Sequence, residues 1–161
     1  ITTELRESDK VMVGKNYLAP WQGGFGSTLT WKGISVNAQF SWVADRWMFN
    51  NDRFFEESNG LYTGYNQSKR LLYDRWKKPG DVTDIPRWGV TPQMDSRFLE
   101  DASFLRLKNL EIGYKIPYGR IYVSGANLLR FSPFDLWDPE LSSWNSYPLQ
   151  RTVNVGLQLN F

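Results

Sequence analysis

The chain has 161 residues and a net charge of +2, which allows one domain with a sizeable core and gives no electrostatic signal for nucleic acid binding. Cysteine and histidine are both absent. Disulfides, Cys/His metal centres and Ser-His or Cys-His catalytic pairs are therefore excluded, and we expect no catalytic residues, no metal site and no cofactor.

Aromatic residues are abundant, at 16% of the chain. Such a content is typical of strand-rich folds, of the aromatic girdles of membrane barrels and of platforms that stack on sugar rings, and composition does not separate the three. The mean hydropathy is -0.49, and no apolar run approaches the roughly 18 residues of a transmembrane helix. Neither the mean hydropathy nor the search for apolar runs detects a barrel wall, because its lipid-facing residues alternate with polar ones.

The first predicted elements are two strands joined as a hairpin. Apolar and polar residues alternate over residues 23–32 and again over residues 34–49. Lys32-Gly33 lies between the two runs and is typical of a tight hairpin turn.

A third strand is predicted at residues 102–116, but its apolar residues change parity between Leu107 and Leu110. A β-bulge near Lys108 and Asn109 would return them to one face of the sheet.

Two further strands complete the pattern. A turn at residues 117–119 leads into a fourth strand at residues 120–129. The fifth strand, at residues 150–161, alternates at every position from Thr152 onward, as expected for a strand with one buried face.

The connections between these strands are of two kinds. Two are tight turns, whereas residues 50–101 and 130–149 form long connections. Outer-membrane barrels combine short periplasmic turns with long extracellular loops, and the strand directions place the two tight turns on one side and the two long loops on the other. The pattern thus predicts an all-β fold, with about five antiparallel strands of a large transmembrane β-barrel. Five strands cannot close a barrel, because unpaired backbone edges in lipid cost several kcal/mol per group, so partner strands are needed.

Several motifs resemble those of a known family. The run DASFLRLKNLEIGYKIP at residues 101–117, YVSGANL at residues 122–128 and DPE at residues 138–140 stand in the order in which SusC/RagA-type TonB-dependent transporters carry similar segments. The resemblance extends over residues 13–161 and therefore covers most of the chain.

The resemblance implies that residues 1–161 are the C-terminal part of a receptor barrel of about 22 strands with a plugged lumen. The plug and the N-terminal region would lie upstream of this chain. It further implies a multi-pass barrel in the outer membrane of a Gram-negative cell, which imports large nutrients (oligosaccharides, or else oligopeptides). The expected partners are a SusD-like surface lipoprotein, the rest of the barrel and its plug, TonB through the missing N-terminal region, the barrel-assembly machinery and outer-membrane lipid.

Four loop tryptophans are candidates for substrate or partner contact, because an exposed indole can stack on a sugar ring or grip a peptide side chain. They are Trp76, Trp88, Trp137 and Trp144. The alternative is that they pack the loops together or anchor at lipid headgroups. Trp137 and Trp144 are the stronger candidates, because their Pro- and Ser-rich surroundings offer little core to join.

Four charged residues of the third predicted strand are expected to face the lumen, because a charge facing lipid costs about 2–4 kcal/mol at the bilayer midplane. They are Arg106, Lys108, Glu111 and Lys115. They would line the substrate path, contact the plug or form a hydrated wall. Phe161 resembles the terminal aromatic that the barrel-assembly machinery reads, and it is also one more lipid-facing apolar residue.

Two other hypotheses stay open at this stage. A secreted, soluble, aromatic-rich β domain that binds carbohydrate would explain the composition, and it would fold without detergent. An enzyme is the weakest hypothesis, because the carboxylates of the first long loop show no catalytic spacing and have many arginine partners nearby in sequence.

Overall fold

The computed structural model describes residues 6–91, 93–134, 137–141 and 146–160. Its elements in these ranges are mostly strands, with two short α-helices. The strands are β1 (Trp21–Trp31), β2 (Ile34–Ala44), β3 (Trp47–Phe49), β4 (Leu99–Asp101), β5 (Phe104–Ile116), β6 (Gly119–Phe131) and β7 (Thr152–Leu159). The helices are α1 (Asn51–Glu56) and α2 (Arg70–Tyr73), with 3-10 turns at Glu7–Asp9 and Ser96–Phe98.

Five of the strands form one antiparallel sheet, in the order β1-β2-β5-β6-β7. The other two, β3 and β4, pair in a separate small sheet. Among the described residues, no helix is long and apolar enough to cross a membrane.

Both predicted tight turns are confirmed. Lys32 and Gly33 have φ angles of 47° and 86°, the left-handed pair that a type I′ turn requires, and Trp31 pairs directly with Ile34. The second turn brings Ile116 of β5 opposite Gly119 of β6.

The predicted β-bulge is also confirmed. The register between β2 and β5 shifts so that Gln39 pairs with Asn109 but Phe40 pairs with Leu107, which leaves Lys108 without a direct partner. Because of this shift, Leu107 and the later residue Leu110 face the same side although their parity differs.

The predicted extents of the strands differ from the observed ones by one or two residues, and by more at the second strand. The strand expected at residues 34–49 ends at Ala44, because Asp45 adopts a positive φ of 57° that interrupts the extended backbone. Residues 47–49 instead pair with residues 99–101. The strand expected from residue 102 accordingly begins at Phe104.

Apolar residues of the five strands lie in register on one face of the large sheet. One row across it consists of Leu29, Val36, Ile112, Val123 and Val155. The next row consists of Trp31, Ile34, Tyr114, Ile121 and Leu157. Most of these side chains are exposed, as in Val155. We call this the apolar face.

The opposite side, here the polar face, carries hydrophilic rows. One of them consists of Thr28, Asn37, Glu111, Ser124 and Asn154. The fully buried side chains Phe98 and Phe134 belong to the two long connections, not to the middle of the sheet. The sheet is therefore a two-sided wall, and the densest packing lies in the loops at its end.

The edges of the wall are open. Within the described residues, β1 pairs only with β2, and β7 pairs only with β6.

Candidate functional site: an ion cluster between the polar face and the second long loop

Arg106 of β5 is the centre of a buried ion cluster on the polar face. Its side chain is 3% exposed. One terminal nitrogen donates to Asp138, and Nε lies 3.0 Å from Oε2 of Glu140. A buried guanidinium is tolerated only when carboxylates compensate its charge, and here two do so.

Two further contacts extend the cluster along the second long loop. Lys108, the bulge residue, donates from Nζ to Oε1 of Glu140 at 2.5 Å. Arg46, which follows β2, donates from Nη1 to the carbonyl oxygen of Pro139 at 2.7 Å. We call Arg46, Arg106, Lys108, Asp138, Pro139 and Glu140 the Arg106 cluster.

An apolar contact stabilises the loop beside this cluster. Phe134 is fully buried against Met48 and Ala102, and Trp137 packs on it. The two rings meet edge to face, with centroids 4.7 Å apart. Trp137 therefore joins a core that its sequence surroundings did not suggest. Its contact with a ligand or partner stays a prediction.

The other two charges predicted to face the lumen lie nearer the turn between β5 and β6. Glu111 accepts a hydrogen bond from Arg120, whose guanidinium lies 5.3 Å from the ring centroid of Tyr122. Lys115 is exposed and pairs in register with Arg120. The structure thus places Arg106, Lys108, Glu111 and Lys115 on the polar side of the sheet, but in two separate groups.

The first long loop is a folded unit with its own aromatic core. The ring of Phe54 in α1 lies 5.4 Å from that of Phe98 and 6.1 Å from that of Phe49. Phe55 stacks on Tyr65 at 5.0 Å. The unit is joined to the small sheet, since the Asn50 backbone N–H donates to the Phe98 carbonyl at 2.7 Å.

A ring of four charged side chains stabilises this loop. Glu57, with a buried side chain, accepts from Arg53 Nε at 3.0 Å and from Arg70 Nη1 at 2.5 Å. Asp84 accepts from the same two arginines at 2.6 and 2.9 Å. Partial burial alone would raise the pKa of Asp84, but attraction and hydrogen bonds from Arg70 and then Arg53 outweigh it, so the pKa lies below its ordinary value.

The remaining candidate tryptophans occupy different environments. Trp76 is half-buried, and its backbone N–H donates to the Ile85 carbonyl at 3.0 Å. Trp88 is 56% exposed and lies against Gly60, with the Arg75 guanidinium 5.6 Å from its ring centroid. Trp144 and Phe161 lie outside the described residues.

A cleft of about 400 Å³ opens beside the Arg106 cluster. Its lining includes Gln22, Ser41, Arg46, Phe104 and Glu140. The described residues include no group of three or more His, Cys, Asp or Glu side chains that could hold a metal ion. The polar groups of the cluster form hydrogen bonds and ion pairs within the protein.

Sequence reasoning missed the partners of these charges. The DPE segment was noticed only as a motif, and its pairing with Arg106 spans 32 residues. The ring around Glu57 and Asp84 joins residues up to 31 positions apart. Only the abundance of arginines among the loop carboxylates indicated it.

Comparisons with known proteins agree with this architecture, although no protein-family model matches the chain. The chain is 29% identical over 170 residues to TonB-dependent receptor P26 of Formosa agariphila. This alignment covers 86% of this chain and 16% of that protein. It is 28% identical over 184 residues to TonB-dependent receptor P3 of the same organism, covering 98% of this chain and 18% of that protein.

Solved structures of the RagAB peptide transporter are also similar. One matches with a TM-score of 0.87 and 35% identity, over 99% of this chain and 19% of that chain. Structures of RagAB in its open-open and closed-closed states both match with a TM-score of 0.86. The chain spans between 16% and 19% of the length of these relatives. Their shared sequence and fold show that it is a segment of a SusC/RagA-family TonB-dependent receptor.

Proposed function

We propose that this chain forms part of the wall and two outer loops of an outer-membrane importer that is energised through TonB. The observation that carries the proposal is the two-sided sheet. Its apolar face is exposed in register across five strands, and its polar face carries the charges and the ion pairs to the second long loop. An apolar face of this extent suits lipid, which weighs against a soluble carbohydrate-binding domain.

The connections support an orientation for this wall. The two tight turns would lie on the periplasmic side, and the loops that follow β2 and β6 would lie outside the cell. Residues 1–161 would be the C-terminal part of the barrel, with the plug and the TonB-contacting region elsewhere in the protein. The open edges of β1 and β7 would then pair with neighbouring barrel strands.

The cargo that we propose is a large nutrient, either an oligopeptide or an oligosaccharide. The likeness to RagAB, described as a peptide importer, supports oligopeptides and also supports a SusD-like surface lipoprotein as partner. The exposed ring of Trp88 supports oligosaccharides, because a free indole face can stack on a sugar ring.

Uptake by the intact receptor with its lipoprotein tests this proposal. Cells would be given fluorescent oligopeptides or fluorescent oligosaccharides, with TonB present or deleted. We expect uptake of one class, and its loss without TonB. The import proposal is wrong if a receptor that is folded in the outer membrane takes up neither class. It is also wrong if uptake is equally fast with and without TonB.

A further inference from the structure

We propose that Arg106 is the positioning residue of the second long loop, and that the Arg106 cluster holds residues 137–141 against the polar face as a permanent part of the wall. This inference rests on the proposed function, because it takes the polar face as the surface that encloses the transport passage. It adds to that function the assignment of residues 137–141 to the fixed wall of the barrel and not to a part that moves during transport.

The first argument is the number of attachments. Three successive loop residues, Asp138, Pro139 and Glu140, are each held by a cation from the large sheet or its end. A single contact would leave the loop free to pivot about it. Contacts at three consecutive residues fix both its position and its orientation.

The second argument is burial. The side chains of Arg106 and Asp138 are only 3% and 5% exposed, so the loop cannot leave without separating two desolvated charges. Opening would break this ion pair and its hydrogen bond, and hydration of the two freed charges would offset part of that loss. Trp137 on Phe134 adds apolar contact at the same place.

The third argument is that the charges of the cluster are already in use. Arg106 forms ion pairs with Asp138 and Glu140, and Lys108 forms one with Glu140. A passing ligand would therefore meet the outer surface of the loop and not these two cations. In this arrangement the loop reduces the width of the passage without acting as a gate.

A buried thiol can report whether the loop leaves the wall. Pro139 is almost fully buried, and the segment has no native cysteine. The intact receptor would carry Pro139→Cys, with any cysteines elsewhere replaced, and would be treated in cells with a membrane-impermeant maleimide. We expect slow labelling that rises at least tenfold when Arg106→Met and Asp138→Leu are added together.

The paired replacement is used because it removes both buried charges and leaves neither unpaired. Glu111→Gln with Arg120→Gln is the matched control, since it breaks a polar-face ion pair that does not touch the loop. The control should leave the labelling rate unchanged. An unchanged rate in the folded Arg106/Asp138 variant would overturn the proposal. So would failure of that variant to assemble, because the pair would then be needed for folding and not for positioning.

A second reporter separates this inference from the proposed function. Val82 in the first loop is fully exposed, so Val82→Cys should label rapidly from outside the cell in every variant. If it does not label, the proposed orientation is wrong. The behaviour of the loop can then still be measured on the detergent-solubilised receptor. If it labels while Pro139→Cys reacts equally fast with and without the ion pair, only the positioning role fails.

Discussion

Tyr122 of β6 lies directly opposite Gly156 of β7, and its phenol ring fills the space that a Cβ at residue 156 would need. On the other side of Tyr122 the partner in β5 is again a glycine, Gly113. The space over Gly113 is occupied by the Arg120 guanidinium and the Ser35 hydroxyl, and this guanidinium lies 5.3 Å from the centroid of the Tyr122 ring. A side chain at residue 113 or 156 would therefore collide with its neighbours on the polar face.

Gly156→Val is therefore expected to destabilise the receptor by about 1–3 kcal/mol, because the new side chain must displace an aromatic ring that is packed against the sheet. Urea unfolding of the purified receptor in detergent would measure the change. Asn154→Val is the control, since Asn154 lies on the same face of β7 but opposite Ser124. Adding Tyr122→Ala should recover part of the loss. Equal stability of the Gly156 and Asn154 variants would contradict the packing argument.

The two faces of β7 predict opposite responses to charge. Val155→Arg places a charge on the apolar face and is expected to cost about 2–4 kcal/mol if that row lies near the bilayer midplane. Asn154→Arg places the same charge on the polar face and should be tolerated. The amount of receptor that migrates as a folded barrel without heating distinguishes the two variants. Similar losses in both would argue that neither face meets lipid.

The first long loop should loosen in acid, partly through Asp84. Its pKa is lower in the folded loop than in the unfolded chain, so its carboxylate form favours folding. This contribution is complete above the unfolded value of about pH 4 and is lost as the pH falls through the lower folded value. Protease cleavage within residues 50–101 of the intact receptor, followed from pH 6 to pH 2 with an acid-active protease, would show the transition.

Asp84→Asn should make the loop easier to cleave at neutral pH and should flatten the acid response, because the titrating group is gone. Glu56→Gln, at an exposed carboxylate of α1, is the matched control and should leave the response unchanged. An acid response of the same steepness in Asp84→Asn would show that other groups govern the loop.

Trp88 and Trp137 should differ in what they contribute. Trp88 is largely exposed, so Trp88→Ala should change stability by less than about 0.5 kcal/mol. Trp137 packs on a buried phenylalanine, so Trp137→Ala should cost about 2 kcal/mol or more. Urea unfolding measures these effects, and uptake of the accepted cargo measures function. Reduced uptake by Trp88→Ala at unchanged stability would support ligand contact at Trp88. Normal uptake would show that Trp88 does not contribute to binding of the cargo.

The sequence predicted the wall well, because each of its features is local. Alternation in residues 152–159 indicates one strand by itself, and Lys32-Gly33 indicates a turn by itself. Even the bulge at Lys108 was visible as a change of parity within one strand. Pairing of consecutive strands then follows from short connections.

The candidate site could not be predicted in the same way, since it depends on contacts between distant residues. Nothing near Asn50 indicates that its backbone will bond to Phe98, or that residues 47–49 will leave the large sheet. The Pro- and Ser-rich surroundings of Trp137 indicate little core nearby, and a core forms only where the fold brings Met48 and Ala102 to Phe134. Contacts within long folded loops join distant residues and leave no periodic pattern in the sequence.

The open edges of β1 and β7 also determine how this segment would behave if made alone. In the part of the chain that the structure describes, each edge presents a row of N–H and C=O groups without strand partners next to an apolar surface, which is a template for adding strands from other copies. Without the rest of the barrel, residues 1–161 would therefore assemble edge to edge and accumulate as insoluble inclusion bodies. Their recovery as folded protein depends on synthesis within the whole receptor.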